Sequence, residues 1–265
     1  MNASIIIPLY NPDNEIINKI KKAIKNQKFD GKIEILFQKG KGLAENINDG
    51  INKAKYELII TLHQDCIPVG EKWLSKLVEP LKYREYVASV SDVELPFSLW
   101  NSFDPIAKIL SSKEQRIITP LLDEKGCAYK KSALKKVGLF DKKKFRTAGE
   151  DFDLYIKLSK IGKLAHPHTK VIHYNYYSAK SRLKKEYQLA NGFGALVRIY
   201  GGEMPSWYMG FIKATPVLGW ILLFRGLNIS KLRSLILIAP LALLLAHFQY
   251  IRGFWKGFLI GRQTV

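Results

Sequence analysis

The stretch Ser4-Ile5-Ile6-Ile7-Pro8-Leu9-Tyr10-Asn11 decides the fold. Three consecutive isoleucines without polar alternation read as a short strand buried on both faces. Pro8 and the turn Asn11-Pro12-Asp13 end it. Outward from that strand, Ile16, Ile17, Ile20, Ala23 and Ile24 recur at helical spacing with lysines between them. Residues 33–37 give a second short strand, 43–55 a helix, and Leu58-Ile59-Ile60-Thr61-Leu62 a third buried strand. A helix over 71–81 and a strand over 87–93 continue the alternation, which predicts an α/β fold around a parallel sheet. Ligands of such sheets bind beyond the carboxyl ends of the strands. That rule gathers Leu9-Tyr10-Asn11, the 38–42 loop and His63-Gln64-Asp65 along one edge.

The bulk composition narrows the function classes. Of 265 residues, 47% are hydrophobic and 25% charged, which suits a folded chain and excludes global disorder. The formal charge of +19 points to phosphate-rich partners: nucleic acid, anionic lipid, or a nucleotide-sugar with a lipid-phosphate acceptor. A solvated lysine surface is the plainer explanation. No helix-turn-helix, zinc-finger or RNA-binding signature occurs, so nucleic acid is not an expected partner. Cys66 and Cys127 are the only cysteines, which leaves no disulfide framework and fits a reducing compartment. The N-terminal residues lack a secretory pattern, so the body of the chain is expected in the cytoplasm.

Two acidic clusters can carry chemistry. In Ile60-Thr61-Leu62-His63-Gln64-Asp65-Cys66-Ile67-Pro68 a strand leaves the core and ends in a carboxylate. Asp65 there is placed either to hold a divalent cation against a diphosphate or to cap the following helix. In Thr147-Ala148-Gly149-Glu150-Asp151-Phe152-Asp153-Leu154 three acids open a helical pattern. They read as dipole-favoured capping acids or as a general base for an acceptor hydroxyl. Lys39 and Lys41, flanking Gly40, can steer an anionic diphosphate, although loop lysines are commonly just solvated.

Taken together, these segments resemble family 2 glycosyltransferases. Pro8-Leu9-Tyr10-Asn11 is similar to the end of that family's first strand, and Asn48 and Gly50 stand where its Asn-x-Gly helix carries them. His63-Gln64-Asp65 occupies the place of the metal-binding Asp-x-Asp. Gly126-Cys127-Ala128 and Val137-Gly138-Leu139-Phe140-Asp141 resemble the segment before the acceptor site. Gly149-Glu150-Asp151-Phe152-Asp153-Leu154 matches the Glu-Asp motif, and Val171-Ile172-His173 the late strand ending in His. The resemblance spans residues 3–175. It implies a GT-A domain over 1–177, a nucleotide-diphospho-sugar donor, Mn²⁺ or Mg²⁺, and single-displacement inverting transfer of a hexose-type sugar. By position, Asp151 would be the base with Glu150 beside it. Pro8, Tyr10, Asn11, Gln38, Asn48 and Asp65 would contact the donor, and Asp65, His63 and His173 the metal. His63 replaces the family's first Asp, and Gln38 stands where an acidic base contact is usual. These departures leave open a second reading, a degenerate scaffold subunit of the same fold. The Gln-x-x-Arg-Trp signature of processive synthases is absent, which favours transfer of a single sugar.

Residues 178–265 change character. Lys180, Arg182, Lys184 and Lys185 precede a helical pattern over 187–199 that can lie on anionic lipid or face solvent. Two apolar stretches follow, Trp207–Phe224 and Leu235–Phe248; the second is short for a bilayer crossing of about 20 residues. A two-span hairpin would put Arg225, Lys231 and Arg233 on the outer side, against the positive-inside tendency. The expectation is therefore a peripheral, monotopic or re-entrant attachment at the cytoplasmic membrane face. Trp207, Tyr208, Trp220, Tyr250, Phe254 and Trp255 are expected at headgroup level, near Arg252, Lys256 and Arg262. The acceptor expected there is a glycan or a polyprenyl-phosphate-linked glycan.

Overall fold

The computed structural model describes residues 1–40, 42–146, 148–225 and 227–264. Lys41 of the diphosphate-steering loop, Thr147 of the second acidic cluster, Gly226 and Val265 lie outside the described residues. The strands are β1 (Ala3–Leu9), β2 (Ile33–Lys39), β3 (Leu58–Thr61), β4 (Cys66–Pro68), β5 (Tyr86–Val90), β6 (Asp92–Glu94), β7 (Cys127–Lys130), β8 (Lys163–Ala165) and β9 (Lys170–His173). The helices are α1 (Asn14–Lys25), α2 (Leu43–Lys53), α3 (Trp73–Val78), α4 (Phe97–Asn101), α5 (Pro105–Leu110) and α6 (Lys131–Lys136). After them come α7 (Glu150–Ser159), α8 (Ala179–Tyr200), α9 (Tyr208–Lys213), α10 (Pro216–Arg225) and α11 (Ala239–Ile260).

The chain forms two compact units. The first comprises Met1–Leu95, Ile117–Lys142 and Asp151–Asn175; the second comprises Pro96–Arg116, Lys143–Glu150 and Tyr176–Val265. In the first unit a six-stranded sheet runs β2-β1-β3-β7-β5-β8, and β1 pairs in parallel with both β2 and β3. Alternation along β1 divides its side chains between the two faces. Ala3, Ile5 and Ile7 pack with α1 residues Ile17, Ile20 and Ile24, while Ile6 packs with Ile47 and Ile51 of α2. Asp13 caps α1 by accepting from the Glu15 and Ile16 amides, so the turn that stops the strand also starts the helix.

Two predicted elements differ from the observed ones. The 71–81 helix is α-helical only over Trp73–Val78 and tightens into a 3₁₀ turn over Glu79–Lys82, because Pro80 has no amide to donate. The 87–93 strand divides at Ser91: β5 stays in the main sheet, while β6 joins a second sheet of order β4-β9-β6. Ser91 marks that change of sheet, with its amide bound to the Gly126 carbonyl and its hydroxyl to Trp73 Nε1 and Thr169.

The second unit is helical. A Ser178–Ser181 capping box opens α8, whose glycine- and alanine-rich face packs along α11. A Cβ on Gly257 would run into the Asn191 carbonyl, and one on Gly194 into that of Phe254, so both positions require glycine for the helices to approach. The apolar face of α8 expected against lipid is therefore covered by α11. Arg182 is also withdrawn from the surface: it is 2% exposed, binds Glu114 and Glu186, and stacks over Tyr177. Phe254, expected at headgroup level, is fully buried. Among the described residues no helix is long and apolar enough to cross a membrane.

Candidate functional site

The parallel pairing of β1, β2 and β3 brings their carboxyl ends to one edge of the first unit. Tyr10 and Asn11 follow β1 there, both exposed, with Asn11 in the left-handed region that asparagine tolerates (φ 47°). Pro8 is buried within the strand. Gln64 clasps this corner: its Oε1 accepts from the Tyr10 amide at 2.7 Å, and its Nε2 donates to the Tyr10 carbonyl at 2.6 Å. Gln38, near the end of β2, is nearly buried, and its Oε1 accepts from Lys53 Nζ at 3.0 Å.

Strand register explains how Asp65 meets His173. In the β4–β9 pair Cys66 stands opposite His173, and the Tyr174 amide donates to the Asp65 carbonyl at 2.7 Å. His173 Nε2 thereby lies 3.3 Å from Asp65 Oδ2. Burial alone would push the Asp65 carboxyl up, but the hydrogen bond and charge of His173 outweigh it and hold the group well below the usual carboxylate range. The Cys66 thiol, pushed up by burial, stays protonated and lies 3.6 Å from Asp65 Oδ1, to which it donates. Ligand atoms of Asp65, Cys66 and His173 all fall within 4.8 Å of one another. With the thiol protonated, the group offers a carboxylate and, when the ring is neutral and Nε2 no longer donates to Asp65, an imidazole.

His63 lies outside that group, near enough to feel the charges of Asp65 and Lys125. Burial first, then the Lys125 cation, lower its pKa to about 4, so the ring is neutral above that pH. Its Nε2 is buried without a hydrogen-bond partner among the described residues. A carboxylate beside an imidazole nitrogen is a donor chemistry that suits a borderline divalent ion such as Mn²⁺ better than Mg²⁺.

Two further residues belong to this group and were not legible in the sequence. Pairing of Thr61 with Cys127 carries the loop before β7 alongside the end of β3. In that loop Lys125 Nζ binds Asp123 Oδ2 at 2.6 Å. Burial would raise the Asp123 carboxyl, but Lys125 outweighs it and holds it down. The charge of Lys125 also acts on His63 and Asp65, which supplies a fixed cation beside the metal-competent ligands. The run Asp123-Glu124-Lys125, two acids and a lysine before Gly126, is the only sequence trace of it.

The acids of α7 take separate roles. Asp151 is half-buried in the first turn, where its Oδ1 accepts from the Phe152 amide at 2.7 Å. Glu150 is 3% exposed. Asp153 is fully buried and pairs with Lys157 at 2.5 Å, which makes it structural. Asn48, expected at the donor, faces elsewhere: its Nδ2 donates to the Phe140 carbonyl at 2.8 Å, and its Oδ1 accepts from the Phe140 amide at 3.1 Å. Asn48→Ala would leave both buried backbone groups unmet, so chemical denaturation should show a stability loss of about 3 kcal/mol. Retained nucleotide affinity in the folded variant would complete that structural assignment.

Residues 13–138, just under half of the chain, match the model of Glycosyl transferase family 2. No curated protein sequence matches the chain. Among solved structures, the mannosyltransferase PcManGT from Pyrobaculum calidifontis, in complex with GDP-Man and Mn²⁺, is 16% identical with a TM-score of 0.56. The match covers 93% of this chain and 73% of that one. GalNAc-T7 with UDP, GalNAc and Mn²⁺ is 15% identical with the same TM-score, and here the match covers 90% of this chain and 54% of that one. The fold is thus that of GT-A glycosyltransferases, and over residues 13–138 the chain is similar to family 2 glycosyl transferases.

Proposed function

We propose that this protein is an inverting glycosyltransferase that moves a single hexose-type sugar from a nucleotide-diphospho-sugar to a hydroxyl of a glycan or polyprenyl-phosphate-linked acceptor. The observation that carries the reading is the ionised Asp65 carboxylate, held by His173 at the carboxyl edge of the parallel strands, where diphosphate ligands of such folds bind. Asp65, His173 and His63 would hold Mn²⁺, which supplies neutralising charge for the departing nucleoside diphosphate. The two similar solved structures are complexes with Mn²⁺ and a sugar nucleotide or its parts, which supports that choice. Lys125 adds a fixed positive charge for the same phosphates. Tyr10 and Gln38 line the nucleotide end. Asp151 takes the proton from the acceptor hydroxyl as its oxygen bonds to the anomeric carbon. The bond to the diphosphate breaks on the opposite side, and its electron pair leaves with the nucleotide.

One observation favours a second reading. His63 stands where the family has an acid, and Gln38 is engaged with Lys53, as in a fold kept for binding alone. A donor panel separates the two: purified protein with Mn²⁺ or Mg²⁺, screened for nucleoside diphosphate released from UDP-, GDP- and dTDP-sugars. Metal-dependent release from one donor is the expected result and names the nucleotide. Silence across the panel, with no nucleotide binding by calorimetry, would replace the transferase by the scaffold.

A further inference from the structure

The second unit carries an outward surface that its own fold leaves uncovered. Along and just before α11, Leu237, Leu241, Leu244, Phe248, Trp255 and Leu259 recur at helical spacing and are all exposed, Leu237 to 91% and Leu259 to 75%. The opposite face of the helix holds Ala242, Leu243, Ala246, Gly253 and Gly257, which are buried. The helix is therefore apolar on both sides through its first half, a pattern that water does not support. α10 packs on α11 through Trp220 and Leu223 and adds exposed Val217, Leu218 and Ile221. An apolar surface of this extent marks an interaction site.

Charge identifies the occupant. From Met204 to the end of the chain there is no Asp or Glu, against seven Lys or Arg. Exposed Arg225 and Lys231 precede the apolar stripe, and exposed Arg252 and Lys256 lie toward its other end. A second copy of this chain would set one basic rim against another. A layer of anionic headgroups over acyl chains complements both the stripe and its rims. The part without Lys or Arg, residues 237–248, whose one polar side chain is the buried His247, is roughly 18 Å long against a hydrocarbon core of about 30 Å. Cations at both ends place both ends at headgroup depth.

We propose that the exposed face of α10 and α11 lies in the plane of an anionic membrane surface as a one-sided anchor. The partner is the lipid itself, and the proposal does not depend on the donor chemistry. The full-length protein is tested by flotation with phosphatidylcholine vesicles, with and without phosphatidylglycerol. Strong retention on the anionic vesicles is expected. The combined Leu241→Ser, Leu244→Ser and Phe248→Ser variant, its fold checked by circular dichroism and thermal unfolding, should lose at least roughly thirtyfold in partitioning. Arg252→Gln with Lys256→Gln should reduce the preference for phosphatidylglycerol. Both native cysteines are buried, so spin labels at Leu237→Cys and Leu259→Cys can be placed selectively. The two labels should report similar depths; a difference above about 10 Å would overturn the in-plane arrangement. Absence of vesicle binding, or binding unchanged in the serine variant, would overturn the anchor. So would a dimer by light scattering that the serine variant dissolves. None of these readouts involves nucleotide, so loss of the transferase reading would leave them interpretable.

Discussion

Asp65→Ala is expected to lower kcat/KM for the donor by on the order of 10³, and to remove the effect of Mn²⁺ on nucleotide affinity, as measured by calorimetry with and without the ion. Asp65 is the carboxylate that His173 keeps ionised, and no other ligand of the group supplies a negative charge to the cation. The metal-free affinity should change little, because the Lys125 charge proposed for the phosphates is kept. His173, 5% exposed, would lose its partner in the variant, so its unfolding midpoint is needed beside the kinetics. Asp65→Asn keeps the volume and should show the same loss of metal response with a smaller loss of stability. A metal response unchanged in both variants would show that the diphosphate sits elsewhere.

Asp151→Asn should reduce kcat by roughly 10³, about 4 kcal/mol at the transition state, while donor affinity and its metal dependence stay as in the wild type. This pattern separates a base from a ligand, since a ligand would change binding as well. It also discriminates between acceptor chemistries. A hydroxyl needs its proton removed as it attacks; a lipid phosphate arrives already ionised and needs no base. A near-normal kcat in Asp151→Asn, with transfer to a phosphorylated lipid, would reassign the acceptor. Half-buried Asp151 suits the role better than its neighbours do: Asp153 is committed to Lys157, and Glu150 is almost fully enclosed.

The strands and first helices were legible because their signals are local. The isoleucine run of β1, the turn at Asn11-Pro12-Asp13 and the helical spacing of Ile17, Ile20 and Ile24 act within a few residues of themselves. Asp65 was identifiable from its place after an apolar strand and His173 from the family resemblance, but their meeting depends on the register of β4 with β9. What stayed hidden depends on partners distant in the chain. Asn48 looks like a ligand contact until the Phe140 backbone, 92 residues away, is found to occupy its amide. Lys125 looks like an ordinary loop lysine until β7 sets it beside the end of β3. Arg182 reads as one of four surface cations, whereas Glu114 and Glu186 enclose it. In each case a polar side chain is committed by a tertiary contact that neither composition nor periodicity encodes.

The winding of the chain through the helical unit has a practical consequence. Pro96–Arg116 and Lys143–Glu150 reach that unit long before its last segment begins at Tyr176. In α5, Ile106 and Leu110 pack on Leu243 and Ala246 of α11. Shortening the chain after its last strand, to obtain a smaller and more soluble enzyme, would strip α11 from α5 and leave those side chains bare. The terminal helices are thus not a detachable tail.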